Sequence, residues 1–163
     1  MDGRDQMNDQ QAQRRKATSG LLQAASLWRR LAERALLAEG ISAARADVLI
    51  WIGRLGGGLR QVQLAEAIGH TSNALVRLLD ELSASDLIER RPDESDRRAN
   101  RIWLTPQGEE LAARAEDVLN VLRDEVLGDM GSDDLAAAVR LYETIAEAAN
   151  GQAEARNASL LAS

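Results

Sequence analysis

The stretch from Leu59 to Thr105 restricts the possible folds of this chain more than any other part. It reads LRQVQLAEAIGHTSNALVRLLDELSASDLIERRPDESDRRANRIWLT. Two short helical patterns joined by a tight turn lead into two extended segments, with an arginine-bearing turn between them. This order of elements is typical of a winged helix-turn-helix.

The first half of the stretch has the pattern of two helices. The first should run from Leu59 to Ile68 and end at Gly69. The hydroxyl of Thr71 or Ser72 should cap the second. The inward apolar side chains are then Val62, Leu64, Ala65, Ile68, Leu75, Val76, Leu78, Leu79 and Leu82. Many proteins contain two helices joined in this way, so this pattern alone does not identify a DNA-binding unit.

The second half has the alternation of half-buried strands. Apolar and polar residues alternate from Leu87 to Arg91 and again from Arg101 to Leu104. The polar turn between them is too long for a tight hairpin, so it should project outward as a wing. Because two strands alone are marginally stable, Ile102 and Leu104 should face the helices.

Helical patterns also precede and follow this unit. The first helix should end at Gly40, and Ser42 should cap the second. Thr105 should cap a helix that begins at Pro106, where the missing N–H of proline costs nothing. Between these parts, Gly56–Gly58 form a plain loop or, as the alternative, a flexible connection that permits rotation.

The apolar stripes of the flanking helices exceed what one small winged helix can bury. Pairing with a second chain would cover them, and closed two-fold dimers are the commonest solution. The predicted fold class is therefore mainly α with a small β-hairpin wing, six helices and an obligate homodimer. Five segments follow: a flexible N-terminal arm (1–17), N-terminal helices for dimerisation and a pocket (18–55), the winged helix-turn-helix lobe (56–105), C-terminal dimerisation helices (106–150) and a mobile tail (151–163).

Composition excludes several classes of function. The 163 residues contain no Cys and one His, so disulfides and thiolate metal sites are excluded and a histidine-built zinc site is improbable. No catalytic constellation is apparent, and we expect neither an enzyme nor a cofactor. The N-terminus lacks an apolar signal segment and no apolar run could span a bilayer, so we expect a cytoplasmic protein without a membrane partner.

The net charge of −6 at first argues against a nucleic-acid partner. Its distribution is more informative, because residues 105–163 hold four basic and twelve acidic residues whereas residues 87–104 hold five arginines against four acidic residues. Basic side chains thus cluster on the one feature that can reach phosphate. The acidic C-terminal third either orients the protein on DNA by repulsion or simply makes long helices soluble.

Two motifs make the chain resemble the MarR family of transcription regulators, and within it the SlyA-like branch. They are AEAIGHTSNALVRLLDEL and LIERRPDESDRRANRIWLTPQG, and the resemblance extends over about residues 19–149. The chain departs from the family pattern at Asp86, where glycine is usual before the first wing strand, but Asp tolerates left-handed backbone geometry. A second departure is Ser72-Asn73, where the family more often has Gly-Pro or Ser-Lys. These two residues begin the second helix of the helix-turn-helix, which is the recognition helix.

The resemblance implies a DNA interface on the recognition helix and wing. Ser72, Asn73 and Ala74 would lie near base edges in the major groove, with Asn73 contacting adenine or capping the helix. Arg77 would contact a base or phosphate, and Thr71 a phosphate. In the wing, Arg98 would enter the minor groove, Asp96 would hold its guanidinium, and Arg97 would contact phosphate or brace the wing. The alternative for the three wing residues is surface ion pairing.

The resemblance also implies a repressor that binds double-stranded operator DNA with a pseudo-palindromic sequence. A small and often aromatic acidic ligand would release the repressor from this DNA. The candidate pocket residues, chosen by position only, are Trp28, Arg45, Asp47, Trp51 and Leu111. Two alternatives stay open: an activator or anti-silencer of the same fold, and a winged-helix module that binds protein and no longer binds DNA.

Overall fold

The computed structural model describes residues 3–68, 72–93, 96 and 99–161. Within these, side chains are described for 7–68, 74–93, 96 and 99–152. The elements follow in the order α1 (Gly3–Ala38), α2 (Ala43–Arg54), β1 (Leu59–Arg60), α3 (Gln61–Ile68), α4 (Ser72–Ala84), β2 (Ile88–Pro92), β3 (Asn100–Leu104), α5 (Pro106–Leu127) and α6 (Ser132–Leu161). No helix among these residues combines the length and apolar composition that crossing a bilayer requires.

The chain forms two compact units, Met1–Arg123 and Asp124–Ser163. The core of the first unit has two parts. One lies among α2, α3, α4, the sheet and the start of α5, and the other lies among α1, α2 and α5. Leu111 of α5 packs against both parts. The core therefore places α4 and the wing on a support that includes α2 and α5.

The wing strands belong to a three-stranded antiparallel sheet in the order β1-β3-β2. Both predicted strands are confirmed, and Ile88 pairs with Leu104 while Arg90 pairs with Ile102. The prediction that Leu59 begins a helix is wrong. Leu59 pairs with Ile102 as part of β1, and α3 begins at Gln61. The additional strand gives the ribbon the third member that a stable sheet needs.

Three helices end in the same type of hydrogen-bonded turn, which contains one residue in the left-handed backbone conformation. After α1, Gly40 has φ +70°, and after α2, Gly56 has φ +79°. After α4 the left-handed residue is Asp86, with φ +55°. There the N–H of Leu87 donates to Leu82 O at 3.0 Å and the N–H of Asp86 donates to Ser83 O at 3.1 Å. The expectation that Asp86 tolerates left-handed geometry is confirmed.

The helix starts agree only in part with the sequence. Thr105 caps α5, because its Oγ1 accepts from the Gly108 N–H at 3.0 Å and donates to Asp86 O at 2.6 Å. Ser42 occupies the cap position of α2 but makes no side-chain hydrogen bond there. Its backbone carbonyl instead accepts from the Ala46 N–H at 2.9 Å.

Two expected inward side chains point outward. Val62 is 65% exposed, because it lies two residues before buried Leu64 and so about 200° around the helix from it. Val76 is exposed as well, one residue beyond Leu75 at the edge of the buried face of α4.

The terminal helices are longer than the sequence pattern indicates. Residues 3–17, which lie in the segment predicted as a flexible arm, belong to α1, and residues 151–161, which lie in the segment predicted as a mobile tail, continue α6. Both segments lack an apolar stripe, which is the signal on which the expectation depends. They are nevertheless rich in Gln, Arg, Glu, Lys and Ala, which favour helix when exposed to water.

Replacing Asp86 with Gly should stabilise the protein. A left-handed conformation costs a non-glycine residue about 1–2 kcal/mol, of which Asp recovers a part by local hydrogen bonding. We therefore expect the free energy of unfolding of Asp86→Gly to rise by roughly 0.5–1 kcal/mol, less than the full strain because glycine also loses more entropy on folding. Urea denaturation measures the difference. Asp86→Ala is the matched control, and a gain in stability there would contradict this explanation.

Candidate nucleic-acid interface

Helix α4 presents one face to the core and the other to solvent. Leu75, Leu79 and Leu82 are fully buried at the spacing of one helical face. Ala74 and Arg77 are exposed on the opposite side. Arg77 forms no ion pair with another described residue, so its guanidinium is available to a partner in solvent.

An ion pair joins α4 to the wing. Arg90 Nη2 of β2 donates to Asp80 Oδ1 of α4 at 2.5 Å. Both side chains are partly exposed, so this pair adds little to stability. Its geometric effect is that the exposed face of α4 and the start of the wing are tied to one another.

The base of the wing is organised around one buried carboxylate. Asp93 is 1% exposed and is the one charged residue of the described chain that is buried. Its Oδ2 accepts from Arg60 Nε at 2.8 Å and from Arg101 Nε at 3.1 Å. Its backbone N–H donates to Ala99 O at 3.0 Å, which closes the turn that follows β2. Asp93 therefore connects β1, β3 and the wing turn.

The charges at the wing base support one another. The hydrogen bond and the negative charge of Asp93 raise the pKa of the Arg60 guanidinium, and the charge of Asp96 acts in the same direction. Arg101 adds a second tie, since its Nη1 donates to Gly58 O at 3.0 Å. The carboxylate of Asp93 thus favours the charged form of Arg60.

The predicted DNA-contact residues are only partly described. Ala74 and Arg77 lie on the exposed face of α4 as expected. Asp96 is half-buried, and its backbone carbonyl accepts from the Ala99 N–H at 2.9 Å. Only the backbone helix is described at Ser72 and Asn73, and the predictions for Thr71, Arg97 and Arg98 fall outside the described residues.

Sequence reasoning missed Asp93, Arg60 and Arg101 as the residues that position the wing. Asp93 lies directly after a strand, which by itself is an ordinary turn position. Its role depends on Arg60, 33 residues earlier. Without strand β1 in the prediction, nothing placed that arginine beside the wing.

The five candidate pocket residues are all half-buried in the first unit. Trp51 and Leu111 pack against the same core cluster. Arg45 Nε is buried without a hydrogen-bond partner among the described residues, whereas Asp47 is engaged in an interaction.

A separate groove of about 330 Å³ lies between α3 and the wing, and none of the five candidate pocket residues lines it. Its lining residues are Arg60, Gln61, Val62, Arg90, Ala99, Asn100 and Ile102.

Comparison with known proteins identifies this arrangement. The model of the MarR family matches residues 39–99, from the end of α1 into the wing. The crystal structure of the transcriptional regulator PA3341 is 30% identical and superposes with a TM-score of 0.74, covering 82% of this chain and 98% of that chain. The chain belongs to the MarR family.

Two further MarR-fold structures were determined with DNA. A mutant of MarR from E. coli, complexed with operator DNA, is 23% identical with a TM-score of 0.68 over 78% of this chain and 91% of that chain. The transcriptional repressor CouR, bound to a 23-mer DNA duplex, is 25% identical with a TM-score of 0.67, covering 78% of this chain and 89% of that chain. In both cases the matched part includes most of the present MarR-family chain.

Family membership confirms the resemblance and the predicted winged-helix architecture with six helices. The assignment to the SlyA-like branch stays a prediction. The structure also explains the LTPQG end of the second motif. Thr105 and Gly108 form the cap of α5, and Thr105 binds the turn before β2 through Asp86 O.

Proposed function

We propose that this protein is a dimeric, sequence-specific DNA-binding transcriptional regulator that acts as a repressor. The observation that carries the proposal is the exposed face of α4, where Arg77 has no ion-pair partner among the described residues. This face lies beside the wing, whose base is held by the ion pairs of Asp93 with Arg60 and Arg101. The DNA complexes of E. coli MarR and CouR support the same use of this fold. No catalytic step is part of the proposal.

In this proposal α4 enters the major groove and the wing follows the adjacent minor groove. Ser72, Asn73 and Ala74 at the start of α4 meet base edges, and Arg77 reaches a base or phosphate one turn further on. Thr71 binds a phosphate. In the wing, Arg98 enters the minor groove with Asp96 beside it, and Arg97 contacts phosphate or braces the wing.

The exposed apolar side chains support a homodimer. Helix α6 exposes four large apolar residues at the spacing of one helical face. They are Leu135, Val139, Tyr142 and Ile145. In the first unit, α1 likewise exposes Leu22 and Leu37. A second copy of the chain would cover such surfaces, and a two-fold dimer would present two α4 helices to a palindromic site.

Release by a small acidic ligand is part of the proposal. Arg45 supports it, because a buried guanidinium nitrogen without a partner is a donor that a carboxylate can use. Trp28, Asp47, Trp51 and Leu111 are the other proposed pocket residues. A ligand would act only through a different affinity for the DNA-competent and DNA-incompetent arrangements of the dimer.

The protein should protect a pseudo-palindromic site in the DNA upstream of its own gene, with half-sites about one helical turn apart. Footprinting and fluorescence anisotropy at stated salt measure this. Arg77→Ala should weaken binding by about 1–3 kcal/mol, whereas the matched variant Arg114→Ala, an exposed arginine of α5, should leave it unchanged. Absence of any footprint at low salt would refute the proposal.

A further inference from the structure

The glycine turn, Gly56–Gly58, connects α2 to β1 through three left-handed residues. Gly57 donates its N–H to Ile52 O at 3.0 Å, which completes the end of α2. Gly58 donates its N–H to Ile102 O at 2.8 Å, which begins the pairing with β3. The backbone of this turn is therefore held at both ends by hydrogen bonds.

The indole ring of Trp103 lies directly against the second and third glycines. A Cβ at Gly57 would lie 2.7 Å from Trp103 Cε3, and a Cβ at Gly58 would lie 2.8 Å from Trp103 Cζ2. Both separations are too short for real atoms, so the ring occupies the space that side chains would need. A Cβ at Gly56, by contrast, would meet nothing within 4 Å.

Trp103 also contacts the outer wing strand. The guanidinium carbon of Arg91, on β2, lies over the indole ring at 5.2 Å from its centroid. Arg91 is itself paired with Glu89, which is opposite Trp103 in the strand register. The Trp103 ring thus contacts both the glycine turn and the Arg91 guanidinium on β2, the edge strand opposite β1.

The position of Trp103 differs from that of a core residue. Its neighbours Ile102 and Leu104 pack into the main core cluster of the described residues, and Trp103 does not. It lies half-buried on the other face of the sheet, as the alternation of a strand requires. Its contacts are instead with the glycine turn and Arg91.

We infer that Trp103 is a positioning residue for DNA binding: its ring fixes the glycine turn against β3 and so sets how the wing is held relative to α2. The turn leads into β1, whose Arg60 binds Asp93 at the wing base, so a shift in the turn displaces the wing. The inference rests on the proposed function and extends it to a residue outside the DNA-contact surface.

The first test replaces the ring. Trp103→Leu keeps an apolar side chain but removes the flat ring, part of its bulk and the cation–π contact, and it should weaken operator binding about tenfold, comparable to the loss of one well-placed contact. Trp103→Phe retains a flat ring and should restore most of the affinity. Dissociation constants are measured by anisotropy well below each melting temperature, where a residue with only a structural role would leave them unchanged.

The second test uses the glycines as a matched pair. Gly56→Ala and Gly58→Ala both place an alanine at positive φ, but only the second also meets the Trp103 ring. Gly58→Ala should therefore weaken operator binding more than Gly56→Ala. In a Trp103→Leu background the difference between the two should shrink, because the smaller side chain leaves room for the methyl group.

Unchanged operator affinity in folded Trp103→Leu, or equal effects of Gly56→Ala and Gly58→Ala, would overturn this inference and leave the proposed function intact. If Trp103→Leu does not fold, the comparison of Gly56→Ala with Gly58→Ala decides between the outcomes. Absence of operator binding by the wild-type protein would instead overturn the proposed function, and this inference with it.

Discussion

Gly108→Ala should destabilise the protein strongly, although it adds only one methyl group. Gly108 lies in the first turn of α5, directly on the backbone of Leu87. A Cβ at this position would overlap the Leu87 carbonyl oxygen and lie 2.9 Å from its carbonyl carbon. Neither backbone can rotate away as a side chain does. We expect a loss of at least about 3 kcal/mol, the upper end of the usual cost of overpacking.

The same carbonyl oxygen explains why relaxation is difficult. Leu87 O accepts a hydrogen bond from the Thr105 N–H at 3.2 Å, and Thr105 Oγ1 donates to Asp86 O at 2.6 Å. Moving α5 outward to admit a methyl group would break both bonds at the junction of α4, β2 and α5. The substitution should therefore lower the midpoint of urea unfolding.

Gly20→Ala is the control for this substitution. Gly20 lies in exposed α1, and a Cβ there would meet nothing within 4 Å. Alanine should stabilise the helix at that position by roughly 0.5–1 kcal/mol. Opposite signs for the two Gly→Ala changes would locate the effect in the close approach of two backbones. A Gly108→Ala protein as stable as the wild type would show that this approach is not required.

Features with local signals were predictable from the sequence. The helix end at Gly40 and the cap at Thr105 depend on residues within one turn of each other, and both are present. The wing strands were placed to within about one residue, because alternation and the polar turn are also local signals. Helical spacing from the apolar residues of the second predicted helix likewise puts Arg77 on the face that α4 exposes.

Features that depend on distant residues were not predictable. Leu59 has no strand pattern of its own and becomes a strand only because β3 offers an edge. The role of Gly57 and Gly58 appears only once Trp103, far along the chain, is known to lie against them. The full lengths of the exposed helices α1 and α6 escaped prediction for a different reason, since apolar periodicity detects burial and not helix itself.

Asp93→Ala should weaken operator binding through the wing, although Asp93 is buried and cannot reach DNA. Its carboxylate is fully buried, while Arg60 and Arg101 are 41% and 45% exposed. Without Asp93 both guanidinium groups can turn to water, so the free energy of unfolding should fall by only about 1–3 kcal/mol. The wing turn, however, loses the side-chain links from Asp93 to Arg60 of β1 and to Arg101 of β3. We therefore expect operator affinity to fall about tenfold, equivalent to roughly 1.4 kcal/mol.

A double-mutant cycle separates this positioning role from general destabilisation. Arg98→Ala alone should weaken binding by about 1–3 kcal/mol. If Asp93 acts by holding the wing in place, Arg98→Ala should cost much less in an Asp93→Ala background, with a coupling of at least about 0.5 kcal/mol. Arg77→Ala on α4 should remain additive with Asp93→Ala, because α4 packs on the core through its own leucines. Equal coupling to Arg77 and Arg98 would mean that Asp93 supports the whole lobe, and full additivity with Arg98 would remove Asp93 from the control of the wing.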